Sequence, residues 1–293
     1  MTCILLNWNG WRDSLACLES LERVTYPKLS VILVDNGSSD GSVAHIRHHH
    51  PRLELIENAS NLGFSAGNNV GIRAALARDV DYLWLLNNDA RPEPGALSAL
   101  VQRAEEDHRL GAVGSVLRYA HDPRVVQAWG GGRVNIWTGR TAHVLAPVSE
   151  GELTYLTAAS LLLRRTALAQ VGLFDEGYFL YWEDTDLCYR LRARGWRLGV
   201  ASGSIVLHRE HGSTGRDFRL LHRYAVGSGI RFLIKHSPRP WISVCLFISL
   251  KVTRKVFTGK LTHVADIARG VQEFLARRKH YSVGRTTERA LTK

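Results

Sequence analysis

Four short runs rich in Leu, Ile and Val, at residues 2–7, 30–35, 53–57 and 82–87, alternate with helical patterns near 11–23, 41–49, 67–78 and 94–107. A run that is apolar at successive positions must be covered on both faces, and intervening helices supply that cover. The alternation therefore predicts an α/β fold around a mainly parallel central sheet. Ligands of such sheets gather at the carboxyl ends of the strands. The polar clusters of the chain fall at those ends: Asn7-Trp8-Asn9-Gly10, Asp35-Asn36-Gly37-Ser38 and Asn87-Asn88-Asp89.

From about 110 to 165 the pattern turns strand-like and glycine-rich, with Gly130-Gly131-Gly132 and Leu161-Leu162-Leu163, as expected for a second, mixed part of the same sheet. The segment 202–215 then brings His208 and His211 among small residues. This divides the chain into a domain over 1–215, with halves 1–109 and 110–215, and a tail over 216–293. With 293 residues and 45% hydrophobic content, the chain can bury a full core without staples.

The net charge of +11 is concentrated in the tail, where 17 Lys and Arg face 4 Asp and Glu, whereas residues 1–215 hold 21 against 23. The basic residues surround the apolar run 241–250 and include Lys251, Arg254, Lys255 and Lys260. Ten apolar-biased residues fall short of the roughly 20 that a membrane span needs. The composition suits a basic amphipathic helix lying on an anionic membrane surface better than one binding nucleic acid. A core helix or a contact with a second copy of the chain would use the same residues. Cys3, Cys17, Cys188 and Cys245 have no paired spacing, so neither a zinc site nor a disulfide framework is implied. The chain opens directly on a strand pattern with no leader-like segment, and the expected location is the cytoplasmic side, peripheral to the membrane.

The densest chemistry lies in Phe179-Leu180-Tyr181-Trp182-Glu183-Asp184-Thr185-Asp186, ahead of a helix expected over 186–194 and stopped by Gly195. Three carboxylates so close repel one another, and burying one unpaired costs several kcal/mol by rough estimate, which catalysis or a bound cation would repay. Caps and arginine pairing are the plainer use, with Asp184 or Thr185 as N-cap. Asp35, ending a strand, can accept hydrogen bonds from a base or ribose. There is no GxGxxG after the first strand, which favours a mononucleotide over a dinucleotide. Asn61-Leu62-Gly63-Phe64-Ser65-Ala66-Gly67-Asn68-Asn69 has the glycines and helix start that suit an anionic phosphate. Asp89 could hold a hard divalent cation together with phosphate oxygens; a simple Asn-Asp turn before Pro92 is the alternative.

In order along the chain, these clusters, with Asn61-Leu62-Gly63-Phe64, Val171-Gly172-Leu173-Phe174-Asp175-Glu176 and His208, resemble the family 2 glycosyltransferases, and within them the rhamnosyltransferase-like branch. The resemblance spans roughly residues 2–215. It implies a GT-A fold, a nucleoside-diphosphate sugar donor (dTDP- or UDP-linked), Mg²⁺ or Mn²⁺, a glycan or lipid-linked acceptor, and inversion at the anomeric carbon. Asp89 matches the last acid of the family's DxD-type motif, whose first Asp is replaced by Asn87. His208 matches the late metal-binding histidine, and Asp184 the general base, with Glu183 beside it. Asp35 matches a residue around the nucleoside, Asn7 and Asn68 more weakly, and Asn36, Gly67 and Asn88 are grouped with them at the donor site. Thr157-Ala158-Ala159 departs from the family, which often has glycine there. Two further classes are a non-catalytic sugar-nucleotide-binding or membrane-scaffold protein, and a nucleotidyltransferase. The latter would need a glycine-rich, basic triphosphate loop, and residues 8–13 supply only Arg12.

Overall fold

The computed structural model describes residues 1–209, 218–259 and 262–281; His211, Lys260 and the boundary between residues 215 and 216 lie outside them. The first part of the chain runs β1 (Thr2–Asn7), α1 (Trp11–Glu22), β2 (Ser30–Asp35), α2 (Ser42–His49), β3 (Glu54–Glu57), α3 (Gly63–Leu76) and β4 (Tyr82–Asn87). It continues with β5 (Ala90–Pro92), α4 (Ala96–Glu106), β6 (Leu110–Tyr119), β7 (Asp122–Trp129), β8 (Gly131–Asn135), β9 (Arg140–His143), a 3-10 turn at Glu150–Glu152 and β10 (Tyr155–Leu156). Then follow β11 (Ser160–Arg164), α5 (Arg165–Val171), α6 (Glu183–Ala193) and β12 (Arg197–His208).

The main sheet has the order β3-β2-β1-β4-β11-β6-β12-β5, with β7 on β6. Strands β3, β2, β1 and β4 are parallel, and β11 enters antiparallel between β4 and β6. The central runs are buried on both faces, as their unbroken apolar sequence requires: Cys3, Ile4, Leu5, Ile32, Leu33, Leu83 and Trp84 are fully inaccessible. Each such Leu or Ile contributes about 1.5–3 kcal/mol by leaving water. Order along the sheet reverses at β1, which pairs β2 on one side and β4 on the other. The crevice outside the carboxyl ends at that reversal is where an open α/β sheet takes its ligand.

Two helix starts differ from the sequence expectation by three residues or more. α3 begins at Gly63, four residues early, because Asn36 satisfies the loop before it. α6 begins at Glu183, so Glu183, Asp184 and Asp186 all lie in its first turn and Asp184 does not cap from outside. The glycine-rich stretch does join the main sheet through β6 and β7, but β8, β9 and β10 form a separate three-stranded sheet. Gly131 makes that departure possible, since a Cβ there would meet the carbonyl of Tyr155 at 2.0 Å.

A second compact unit consists of the hairpin tip Asn135–Arg140, the segment Glu176–Trp182 and the C-terminal helices α7 (Phe218–His236), α8 (Pro240–Phe257) and α9 (Thr262–Tyr281). Trp182 packs on Phe232 and edge-on to Phe247, with ring centroids 4.8 and 6.4 Å away. The run 241–250 lies in α8, which buries Ser243, Val244 and Phe247 and leaves Trp241, Ile242, Leu246 and Leu250 exposed by 41–58%. No helix among the described residues is long and apolar enough to cross a membrane.

Candidate active site

At the ends of β1 and β2, Asn7 and Asp35 meet in one buried network. The Asn7 amide donates to Asp35 Oδ1 at 2.7 Å, the Ser38 hydroxyl donates to the same oxygen at 2.7 Å, and the Ser38 backbone N–H reaches Oδ2 at 2.9 Å. Ser14 donates to Asn7 Oδ1, and the Asn88 amide donates to Ser14 and to the Gly10 carbonyl. Asn88 therefore clamps the β4 end to the first helix. Asn36 spends its amide on Asn61 and Gly63 and accepts from Asn58 and Leu62, shaping the loop.

Gly67 and Asn68 have a packing explanation. A Cβ on Gly67 would meet Leu6 at 2.7 Å, so this glycine lets α3 close on β1, and Asn68 donates within the helix to the Phe64 carbonyl. Of these donor-site candidates, the structure unites Asn7, Asp35 and Asn88, sets Gly67 in the helix–sheet seam and buries Asn68 on α3.

The end of β4 and the end of β12 converge because β5 pairs antiparallel with β12, setting His208 opposite Ala90. Asp89 Oδ1 stands 3.1 Å from His208 Nε2, and the Asn87 amide lies 3.3 Å from that nitrogen. His208 Nδ1 faces Gln127 Oε1 at 2.9 Å. Arg209, bound to Asp13 at 2.8 Å, places a guanidinium near Asp89. One carboxylate and one imidazole form a donor set suited to Mn²⁺, or to Mg²⁺ when oxygens of a bound diphosphate or water complete the shell. Such completion is required, since among the described residues no three His, Cys, Asp or Glu side chains gather as a metal cage.

The acids of α6 divide by their partners. Asp186 is fully buried and receives Arg190 at 2.7 Å, while the same guanidinium donates to the carbonyls of Val171, Gly172 and Leu173. It locks the helix to the preceding turn. Asp184 accepts from the Thr185 N–H at 2.6 Å, the Thr185 hydroxyl at 3.1 Å and the Ala158 N–H at 3.2 Å. Since the Asn87 N–H donates to the Ala159 carbonyl at 3.0 Å, the head of β11 joins Asp184 to the end of β4. Ala158 and Ala159 do this with φ outside the left-handed region, so the glycine common in the family is not needed.

Glu183 is buried with Oε2 lacking any partner. Burial, then the charges of Asp184 and Asp186, raise its pKa well above the carboxylate range. Burial also raises that of Asp184, but its three donors and nearby His143 oppose the shift. The donors that Asp184 has and Glu183 Oε2 lacks favour the ionised form at Asp184 over Glu183. Immediately before them, Tyr181 and Trp182 adopt left-handed φ of 69° and 73°, costing on the order of 1–3 kcal/mol each.

Three residues escaped the sequence reading. Tyr155 donates or accepts at 3.2 Å with exposed His143, both within the electrostatic reach of Asp184. Neither stands in a recognisable motif. Gln127 is an isolated polar residue whose partner is distant in the chain, and no local signal marks it.

The buried polar network at the sheet reversal, the Asp89–His208 pair and the acids in the first turn of α6, set on this sheet order, fit a GT-A type glycosyltransferase. Residues 2–171 match the family described as glycosyl transferase family 2, and the chain belongs to that family. Among its relatives is the N-acetylglucosaminyl-diphospho-decaprenol L-rhamnosyltransferase of Mycobacterium tuberculosis, 33% identical over 68% of this chain and 73% of that protein. The fold is shared with the mannosyltransferase PcManGT from Pyrobaculum calidifontis in complex with GDP-Man and Mn²⁺, at TM-score 0.59 and 17% identity over 100% of this chain and 80% of that one. GalNAc-T7 with UDP, GalNAc and Mn²⁺ superposes at TM-score 0.63 and 16% identity, over 80% and 47% of the respective chains.

Proposed function

We propose that this glycosyltransferase moves a sugar, rhamnose in the closest reading, from a dTDP- or UDP-sugar to a hydroxyl of a lipid-linked glycan, with inversion. The observation that supports the mechanism is the unequal pairing of the two acids: Asp184 accepts three hydrogen bonds, whereas Glu183 Oε2 has none. Asp184 takes the acceptor hydroxyl proton as that oxygen bonds to the anomeric carbon from the face opposite the diphosphate, and the bond to the diphosphate oxygen breaks. Asp89 and His208 would hold Mg²⁺ or Mn²⁺, which supplies charge neutralisation for the departing nucleoside diphosphate. Asn7, Asp35 and Asn88 shape the nucleoside end. The rhamnosyl and lipid-linked assignments draw support from the mycobacterial relative's name. Release of nucleoside diphosphate across a panel of dTDP- and UDP-sugars, with a polyprenyl-diphosphate glycan as acceptor, tests this; no turnover with any member would refute it.

Residues 1–215 are assigned the chemistry and the helices beyond 216 the approach to an anionic, cytoplasmic-side membrane surface where such an acceptor lies. The exposed stripe Trp241, Ile242, Leu246 and Leu250, with Arg254 and Lys255 on the same helix, supports that role.

A further inference from the structure

Gln127 is a polar side chain only 6% exposed, and its position in the strand is irregular. In the β6–β7 ladder Leu117 pairs with Ala128 but Arg118 pairs with Val126, so Gln127 is the extra residue of a β-bulge. Bulges re-aim a side chain beside a functional site. Here Gln127 and Ala128 are both buried. His208 lies on β12, which pairs with the other edge of β6 and sets His208 opposite Tyr119. Two strand spacings, about 10 Å, thus separate the two backbones. Only two long side chains reaching across β6 can close that gap, and they do, at 2.9 Å between Gln127 Oε1 and His208 Nδ1.

We propose that Gln127 is the positioning residue of the cation site: its carbonyl accepts the Nδ1 proton of His208 and so presents an unprotonated Nε2 beside Asp89. The inference rests on Asp89 and His208 being the cation ligands. In the neutral ring one nitrogen carries the proton and the other the lone pair, and the partner of the first decides which is free to ligate. An amide oxygen at Nδ1 requires the proton there. The opposite amide orientation would set an N–H against Nδ1, move the proton to Nε2 and close the ligand, so the tautomer is the quantity to measure. The site has one carboxylate where a DxD motif would give two, and the orientation of its single imidazole matters correspondingly more.

The test uses the full chain, Mn²⁺ alone as titrant, and electron paramagnetic resonance to count free Mn²⁺. Gln127→Leu should weaken Mn²⁺ binding by about 10–100-fold, the usual cost of losing a partner behind a metal-bound histidine. Gln127→Glu keeps an acceptor and should retain binding. Gln127→Asn keeps the amide but shortens its reach, and carries the test if the Leu variant melts early. In the Mg²⁺-saturated wild type, ¹⁵N-histidine NMR should show His208 protonated at Nδ1, a signature that simple packing would not set. If Gln127→Leu and Gln127→Asn bind Mn²⁺ like wild type while His208→Ala and Asp89→Ala bind it weakly, the positioning role is wrong and the cation site stands. If Asp89→Ala and His208→Ala also bind like wild type, the cation site itself is misassigned and this inference falls with it.

Discussion

Replacing Asp184 with Asn isolates the proton acceptor from everything else that residue does. The side chain keeps its shape, and its one remaining oxygen can still accept either from Thr185 or from the Ala158 N–H. Whichever it serves, the new NH₂ faces the other donor, a conflict worth about 1–3 kcal/mol. Against that, the variant no longer buries a charge whose desolvation raises the pKa of the native group. The two effects oppose each other, so the melting temperature should move little. Turnover should fall by about 10²–10⁴, the usual contribution of a positioned general base, while the dissociation constant for the nucleotide sugar stays near its wild-type value. Steady-state release of nucleoside diphosphate gives the first quantity and calorimetric titration of donor the second. A rate loss below about tenfold with donor binding intact would refute general-base work by Asp184.

Asp89→Ala and His208→Ala should each raise the Mg²⁺ or Mn²⁺ concentration needed for half-maximal turnover, and full activity in excess chelator would sink the cation assignment. Wild-type turnover should rise with pH on a limb above the ordinary carboxylate range, because burial raises the pKa of Asp184 and the base must be ionised. Stability should move the other way: a carboxyl with a raised folded-state pKa holds its proton longer than the unfolded chain does, so stability is lost as pH climbs from the ordinary range through the raised value. Glu183→Gln should remove the part of that loss set at higher pH, and urea unfolding curves that show the same pH dependence in both proteins would contradict the assignment of the pair. Ile242→Glu with Leu246→Glu, both on the exposed face of α8, should abolish sedimentation with anionic vesicles and leave the melting curve unchanged. If the wild type ignores such vesicles at low salt and the double variant changes oligomeric state instead, a second copy of the chain covers the stripe.

The four parallel strands were legible to within a residue because two-sided burial demands continuous apolar sequence, and the polar residue that ends each run marks where the strand meets the crevice. Asp184 and Asp89 stood out as candidates because an acid cluster next to aromatic residues, or an acid at a strand end, is costly enough to need a reason. At Asn36 and Gly67 the sequence does not separate two uses, since an amide that shapes a loop and a glycine that admits a helix to a sheet look the same as a phosphate-binding turn. The α6 boundary moved because Asp184 turns its carboxylate on its own neighbour and on Ala158 instead of capping from outside the helix. Gln127, His143 and Tyr155 carried no signal, since each meets its partner only in the fold, and a bulge leaves no mark on residue type.

The central claim, a single displacement driven by Asp184 as base, is tested most directly by the anomeric configuration of the product. With an identified donor and acceptor, the one-bond C1–H1 coupling of the transferred sugar in the isolated product reports that configuration by NMR. The displacement predicts a configuration opposite to that of the sugar in the nucleotide donor, whereas retention of the donor's configuration would contradict it.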